Sequence, residues 1–455
     1  MKLFSIATSL QALAISSCNA FFTISPRAYS SVAHVSSRNF RLFSESEPSL
    51  MNDDKVELPS KKNPVSPTAM WHKNRRKKML EKYSSQIIPL EQKSHGLFVG
   101  LPILMISNLS ITFLALKSAA LTIPQIMFLA FPSSIFSLWQ LQILHDALHN
   151  SLLPKRGTYK NPSKVMKRII KHRNKIQKAI LFFGSMPSVF GYYLYLQYGH
   201  LTHHKALGQS SLATIFNSSQ KNFEDGDVLF TAHRMKLKGG IGPTFHFTWP
   251  KERSITMSIS KSGFSLWKEG HPLRNALAFS SSFLFERMML MMNDFVVAVA
   301  GRNFFFPNKP LEFHKEAADY CRMAVFVRLL LCCLARSWKP LIFLFFVETM
   351  WSIPPHPACA MFITNHGSDE DGDGGCIPSS STYAGIWYSL LTLGTNYHVE
   401  HHDFPTIPLH KLGRLHKIAP EFYSGHEKEN VFRKMKKAFA TPEFYSCMNA
   451  NVVVD

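Results

Sequence analysis

The stretch Leu121-Thr-Ile-Pro-Gln-Ile-Met-Phe-Leu-Ala-Phe-Pro-Ser-Ser-Ile-Phe-Ser-Leu-Trp-Gln-Leu-Gln-Ile-Leu-His-Asp-Ala-Leu-His149 decides how the rest of the chain is read. From 122 to 144 it carries no charge, and it has about the twenty residues that a bilayer crossing needs. It ends in two imidazoles four residues apart, and side chains at that spacing share one helix face. His145 and His149 therefore point to one spot at the end of an apolar rod. A second apolar stretch, roughly 97 to 117, precedes it, with Pro124 near the turn, so the two predict a helical hairpin. Apolar character returns at 274 to 300, interrupted by Glu286, Arg287 and Asp294, and at 323 to 353, which contains Arg328, Arg336 and Lys339. The expectation is an all-α integral membrane protein with about four transmembrane helices in hairpins, interfacial helices and a histidine-rich cap.

Composition agrees. Of 455 residues, 46% are apolar, and 51 Lys+Arg stand against 30 Asp+Glu for a net charge of +21. Ordinary Gly and Pro counts with 13% aromatics exclude a disordered or collagen-like chain. Apolar and basic residues fall in separate blocks, whereas a nucleic-acid binder interleaves charge across a polar face; no nucleic-acid partner is expected. The partner that the charge suits is an anionic membrane surface. The basic piece Trp71 to Tyr83 is expected to lie on that surface, and the basic run 155 to 178 on the positive-inside side. The segment 179 to 198, with Pro187 and Gly191, reads as interfacial or re-entrant, and the patch Tyr383 to Leu393 is too short to span. No period is found from 209 to 270. The seven Cys form no C-x-x-C pair, so neither a disulfide framework nor a zinc ribbon is implied.

The first 44 residues hold no Asp or Glu. Residues 1–20 read as a signal peptide, with Lys2, an apolar run and small residues ending at Ala20. Residues 21–67 begin with Phe21 and Phe22, continue Ser-rich with Arg27, Arg38 and Arg41, and end in an acidic, Pro-bearing spacer. The series resembles the bipartite presequence of algae with secondary plastids, which implies a plastid membrane; a plain secretory signal with a linker, and hence the endoplasmic reticulum, is the alternative. The membrane domain is placed at 68–425, followed by a polar tail at 426–455. The run Asp369 to Gly374 mimics the start of a calcium loop but has Ser380 where the closing Glu belongs, and is read as a solvated loop.

Three histidine clusters carry the chemistry: His145-Asp-Ala-Leu-His149, His200-Leu-Thr-His203-His204 and His398-Val-Glu-His401-His402. On helices, the spacings i, i+3 and i+4 present each set to one point. All three clusters border apolar segments and can meet at one membrane face. Eight of the 21 His fall in these fifteen positions, more than one ion can use, so two metals are expected. All-imidazole ligation without thiolate leaves iron, zinc, copper and nickel open. His366 closes an apolar stretch and is a ninth candidate ligand. Asp146, Asn150, Asn396, Glu400 and Asp403 lie within or beside the clusters, where a carboxylate can hold the second nitrogen of a ligand imidazole. The remaining His, including His72, His356 and His416, form no spaced set and are read as structural or surface.

This pattern of boxes resembles that of the membrane di-iron fatty-acyl desaturases and hydroxylases, and the flanking text is similar to the sphingolipid Δ4-desaturase branch over roughly 68 to 424. The similarity rests on Trp71-His-Lys-Asn-Arg-Arg-Lys-Lys-Met-Leu-Glu-Lys-Tyr83, on Asn150 after the first box and on Lys205-Ala-Leu-Gly208 after the second. It also includes Asn396-Tyr-His-Val-Glu-His-His-Asp-Phe-Pro405 with Ile407-Pro408, and His356-Pro357 with Phe362-Ile363 before His366. The basic insertion near 155–175, the polar segment from 209 and the acidic Gly-rich loop at 367–376 differ from that branch. The resemblance implies two iron ions, dioxygen as co-substrate, and removal of two hydrogens from adjacent carbons of an acyl or sphingoid chain. It implies His145, His149, His200, His203, His204, His366, His398, His401 and His402 as ligands. No dinucleotide fingerprint and no His-Pro-Gly-Gly haem signature is present, so electrons are expected from ferredoxin or a separate b5-type cytochrome. A hydroxylase or carotenoid ketolase shares every motif and remains the alternative. A metal transporter is a third reading; it calls for ionisable residues through the spans, and few are seen.

Overall fold

The computed structural model describes residues 67–92, 96–154, 157, 161–187, 200–201, 204, 244–248, 254–258, 272–301, 310–365, 379–423 and 430–440. The presequence, His203, His366 and the acidic loop at 369–374 lie outside them. All the described residues belong to one unit, Val65–Asp455. The helices run in order α1 Pro67–Gln92, α2 Gly96–Lys117, α3 Ile123–Leu148, α4 Lys164–Lys171 and α5 Arg173–Gly184. After them come α6 Pro272–Ala300, α7 Leu311–Ala335, α8 Lys339–Thr349 and α9 Cys359–Thr364, then α10 Ile386–Leu391, α11 His398–Asp403, α12 Leu409–Ile418 and α13 Val431–Ala440. One departure from an all-α chain occurs between α5 and α6, where β1 Thr244–Thr248 pairs antiparallel with β2 Ser254–Ser258, Thr244 opposite Ser258.

Hairpin α2/α3 forms as its composition dictates. Thr122 caps α3 reciprocally with Gln125, whose side chain accepts from the Thr122 backbone N–H at 2.8 Å, and Pro124 sits in the first turn, where its missing N–H has no role to fill. Small residues Ser133, Ser134 and Ser137 are buried on α3, which lets neighbouring helices approach closely. Phe98, Ile106 and Phe113 on α2 and Phe128 on α3, the last 83% exposed, face outward, as lipid-facing side chains do. These two are the helices long and apolar enough to cross a membrane among the described residues.

The expected third and fourth crossings take a different form. Helix α6 is long but carries buried Arg287 and Asp294. The apolar run 323 to 353 is not one helix: it breaks at Arg336, which takes a left-handed φ of 49° as the cap of α7, and restarts at Lys339 as the 11-residue α8. Helices α6 and α7 pack as a hairpin, joined by a buried ion pair of 2.7 Å between Asp294 and Arg328. Helix α8 closes on α2 and α3 around Ile111, Ile126, Leu331 and Phe343.

Outside this bundle a polar cap gathers on the end of α3. Helix α1 is kinked at Tyr83. Its apolar side (Met79, Ile87, Leu90) packs on α11 and α12 through Val399, Phe404 and Leu412, each such burial being worth about 1.5–3 kcal/mol. Its cations Lys73, Lys77 and Lys78 remain exposed. Helix α13 lies within the stretch read as a polar tail, yet Val431, Met435 and Phe439 are buried with Trp351, Met361 and Tyr388.

Candidate metal centre

The last turn of α3 presents His145 and His149 together, because they are one turn apart and both buried. The chain then reverses at Asn150, whose φ is 59°. His200 and His204 approach from the second box, and His401 from α11. Ligand nitrogens of His145, His149, His200, His204 and His401 all lie within 4.8 Å of one another. The chain of contacts runs from His149 Nε2 to His200 Nε2 at 2.9 Å, from there to His204 Nε2 at 2.9 Å, and on to His401 Nε2 at 3.1 Å. Beyond it, His402 Nε2 stands 3.1 Å from His398 Nε2, and the His402 ring lies 4.3 Å from that of His204. Seven of the nine candidate ligands are thus brought to one place; His203 and His366 are the two outside the described residues.

Hydrogen bonding alone does not account for this row. An imidazole nitrogen offers one hydrogen or one lone pair, yet the Nε2 atoms of His200 and of His204 each face two other nitrogens. A cation at the convergence would give these nitrogens a common partner. Two ligands on one ion, with bonds of about 2.1 Å, stand about 3–3.4 Å apart for angles from 90° to tetrahedral, and the separations of 2.9–3.1 Å are of about that size. The His401 imidazole is held well below its ordinary pKa, first by burial and then by the imidazoles of His145, His149, His204 and His398, so it is neutral, as a ligand must be.

The neighbouring polar residues point elsewhere. On α11, at 100° per residue, His398, His401 and His402 fall on one side, and Glu400 and Asp403 on the other. Neither carboxylate reaches a ligand imidazole; both tie the helix down. Glu400 accepts from Tyr383 at 2.6 Å, Ser381 at 2.7 Å and His416 Nδ1 at 2.8 Å. Asp403 accepts from His72 Nδ1 at 2.7 Å, Arg75 Nε at 3.2 Å and Tyr423 at 3.2 Å. Asp146, pointing away from its neighbour His145, accepts from Ser151 Oγ and the Leu409 backbone N–H, which fixes the start of α12. Asn396 donates to the Thr382 carbonyl across α10 and accepts from Thr392 Oγ1 in its own loop, and the Asn150 carbonyl accepts from Arg173 at 2.8 Å. His72 and His416 were not singled out by spacing. Their partners lie 331 and 16 residues away, and the signal that could have marked His72, a histidine inside a basic helix, is common on solvated faces.

Five imidazoles that could hold a metal ion stand at the end of an apolar hairpin, and comparison with known proteins gives the class: the fatty acid desaturase family profile matches residues 120–430, and the chain belongs to that family. Its relatives include a human sphingolipid delta(4)-desaturase/C4-monooxygenase, 32% identical over 124 residues, which are 26% of this chain and 36% of the relative. An Arabidopsis thaliana sphingolipid delta(4)-desaturase DES1-like protein is 40% identical over 75 residues, 16% of this chain and 20% of the relative. A Drosophila melanogaster sphingolipid delta(4)-desaturase is 34% identical over 87 residues, 19% and 25% respectively. The matched stretches therefore cover about a third or less of these relatives. No solved structure matches the chain.

Proposed function

We propose that the protein is a membrane oxidoreductase that introduces a double bond into an acyl or sphingoid chain at a pair of iron ions. The observation that carries this reading is the convergence of five ligand nitrogens within 4.8 Å at the end of the apolar hairpin. A bound iron pair supplies activation of dioxygen toward unactivated C–H bonds. His145, His149, His200, His204 and His401 would hold one ion; His398 and His402, with His203 and His366, would complete the other. The chain's own contribution is to hold His401 neutral and to bury it with His145, His149, His200, His398 and His402, which would exclude bulk water from the site. No side chain need act as a nucleophile. Hairpin α6/α7 is proposed as the second pair of crossings, its buried Asp294 and Arg328 paired with each other as charges at membrane depth must be.

Hydroxylation is the second reading, favoured by the C4-monooxygenase named for the human relative; the relatives' names also point to a sphingoid substrate. Ferredoxin or a separate b5-type cytochrome is proposed as electron donor. A plastid membrane is proposed from residues 1–67, and the endoplasmic reticulum follows if that presequence only secretes. Two assays test the whole. Metal analysis of detergent-purified protein should find about two irons per chain, and expression in yeast with lipid profiling should find products lighter by two hydrogens. A gain of oxygen shifts the reading to hydroxylation, and zinc or no metal removes it.

A further inference from the structure

We infer that His72 and Arg75 of helix α1 are positioning residues that fix the plane of the His402 imidazole; this rests on the two-metal reading above. The torsion that turns an imidazole about its stem is broad and roughly two-fold, so a ligand ring needs a neighbour to set its plane. For His402 that neighbour is His72, stacked on it with centroids 5.0 Å apart and planes 29° from parallel. His72 is itself immobilised at both nitrogens, by Asp403 Oδ1 at 2.7 Å and by Ser379 Oγ at 2.8 Å, so it is a support and not a tenth ligand. Trp71 meets its ring edge-on at 4.7 Å. Arg75 secures the same carboxylate from a second direction, lies over the Trp71 ring at 4.4 Å, and donates to the Phe422 carbonyl at 2.7 Å. Asp403 directly follows His402, so one carboxylate couples the entry helix to the ligand's own backbone.

A structural reading alone does not explain the choice of residues. The apolar contacts of Met79, Ile87 and Phe404 already join α1 to α11, and a buried carboxylate with a guanidinium is a poor way to add stability. It is a good way to add direction. Removing a residue that orients a metal ligand typically lowers metal affinity 10–100-fold.

The test uses the full chain in detergent, with cobalt(II) as the probe, read by its visible spectrum and by competition with a chelator. Wild type should take up two ions. His72→Gln and Asp403→Asn should weaken one of the two about 10–100-fold and change its spectrum, leaving the other loaded. Asp403→Glu, which keeps the carboxylate, should recover part of the loss. Equal weakening of both ions with a lower unfolding temperature would mean that α1 merely holds the cap together, and the inference is overturned. Unchanged affinity in His72→Gln overturns it alone, whereas a wild type that takes up no cobalt removes the centre and the inference with it.

A separate observation concerns α4. At 100° per residue, Lys164, Lys167, Arg168 and Lys171 fall within an arc of about 100°, and Val165, Met166, Ile169 and Ile170 within an opposing arc of about 140°. None of the eight is buried, and Val165 is 70% exposed. Helix α5, which follows, is tied to the metal-bearing end of α3, Gln177 donating to the Ala147 carbonyl at 2.7 Å. The geometry points to α4 lying in the plane of the membrane, cations on anionic headgroups and aliphatic side chains among the acyl chains. Hydrogen exchange on the full chain in nanodiscs of phosphatidylcholine, with and without phosphatidylglycerol, tests it. Exchange at 164–171 should slow about tenfold or more with the anionic lipid, and replacing the four cations by Gln should abolish the difference. Equal exchange in both lipids, or slowing only on addition of an acidic soluble redox protein, overturns it.

Discussion

Replacing Gly394 by Ala should couple a backbone clash to the metal centre. Gly394 has a φ of +88°, and a Cβ there would stand 2.4 Å from the Leu409 carbonyl oxygen and 2.9 Å from its carbon. The left-handed backbone costs an alanine about 1–2 kcal/mol, and overpacking against backbone about 1–3 kcal/mol more, so about 2–5 kcal/mol is expected. Relief requires the start of α12 to retreat by about 0.6 Å, and that start is the Leu409 N–H held by Asp146 at 3.2 Å, next in sequence to His145. Lost stability should therefore come with lost metal. Gly157 is the control, with a φ of +80° and nothing within 4 Å of an added Cβ; Gly157→Ala should show the conformational cost alone. Chemical denaturation in detergent and iron content read both. If Gly394→Ala is no more destabilising than Gly157→Ala and keeps its iron, the reasoning about α12 and Asp146 is wrong.

Other predictions follow from the same contacts. Arg328→Met strips the buried Asp294 of the guanidinium 2.7 Å away and should destabilise by about 3–5 kcal/mol, whereas Arg328→Met with Asp294→Leu should recover most of it; unfolding midpoints of the two variants decide. Glu400→Gln weakens the anchor shared by Tyr383, Ser381 and His416 and should lower metal affinity 10–100-fold, measured by chelator competition. Burial holds the His356 imidazole down to about 4, against about 6.5 in an unfolded chain. The unfolded state then takes up the proton first, so this stability is fully present above about pH 6.5 and is lost as pH falls toward 4. The acid limb of a stability–pH curve should be shallower in His356→Phe, and an unchanged limb refutes the assignment.

What was legible in the sequence is local. Residues four apart on a helix must share a face, so His145 with His149, and His398 with His401 and His402, form half-sites wherever the helices go. The apolar stretches before the first box predict two helices, because a backbone in lipid has to satisfy itself, and the structure has both. The break in the last apolar run was not legible: the hydropathy of 323 to 353 runs on through Arg336, while the helix stops there in a left-handed turn.

Tertiary structure decided everything that depends on the far side of a helix. Asp146, Glu400 and Asp403 sit beside candidate ligands in sequence, but each points away from its neighbouring imidazole and anchors another part of the cap, because adjacent helix positions differ by 100°. His72 reaches the centre across 331 residues; periodicity records which face of a helix a side chain occupies and carries no information about what that face meets.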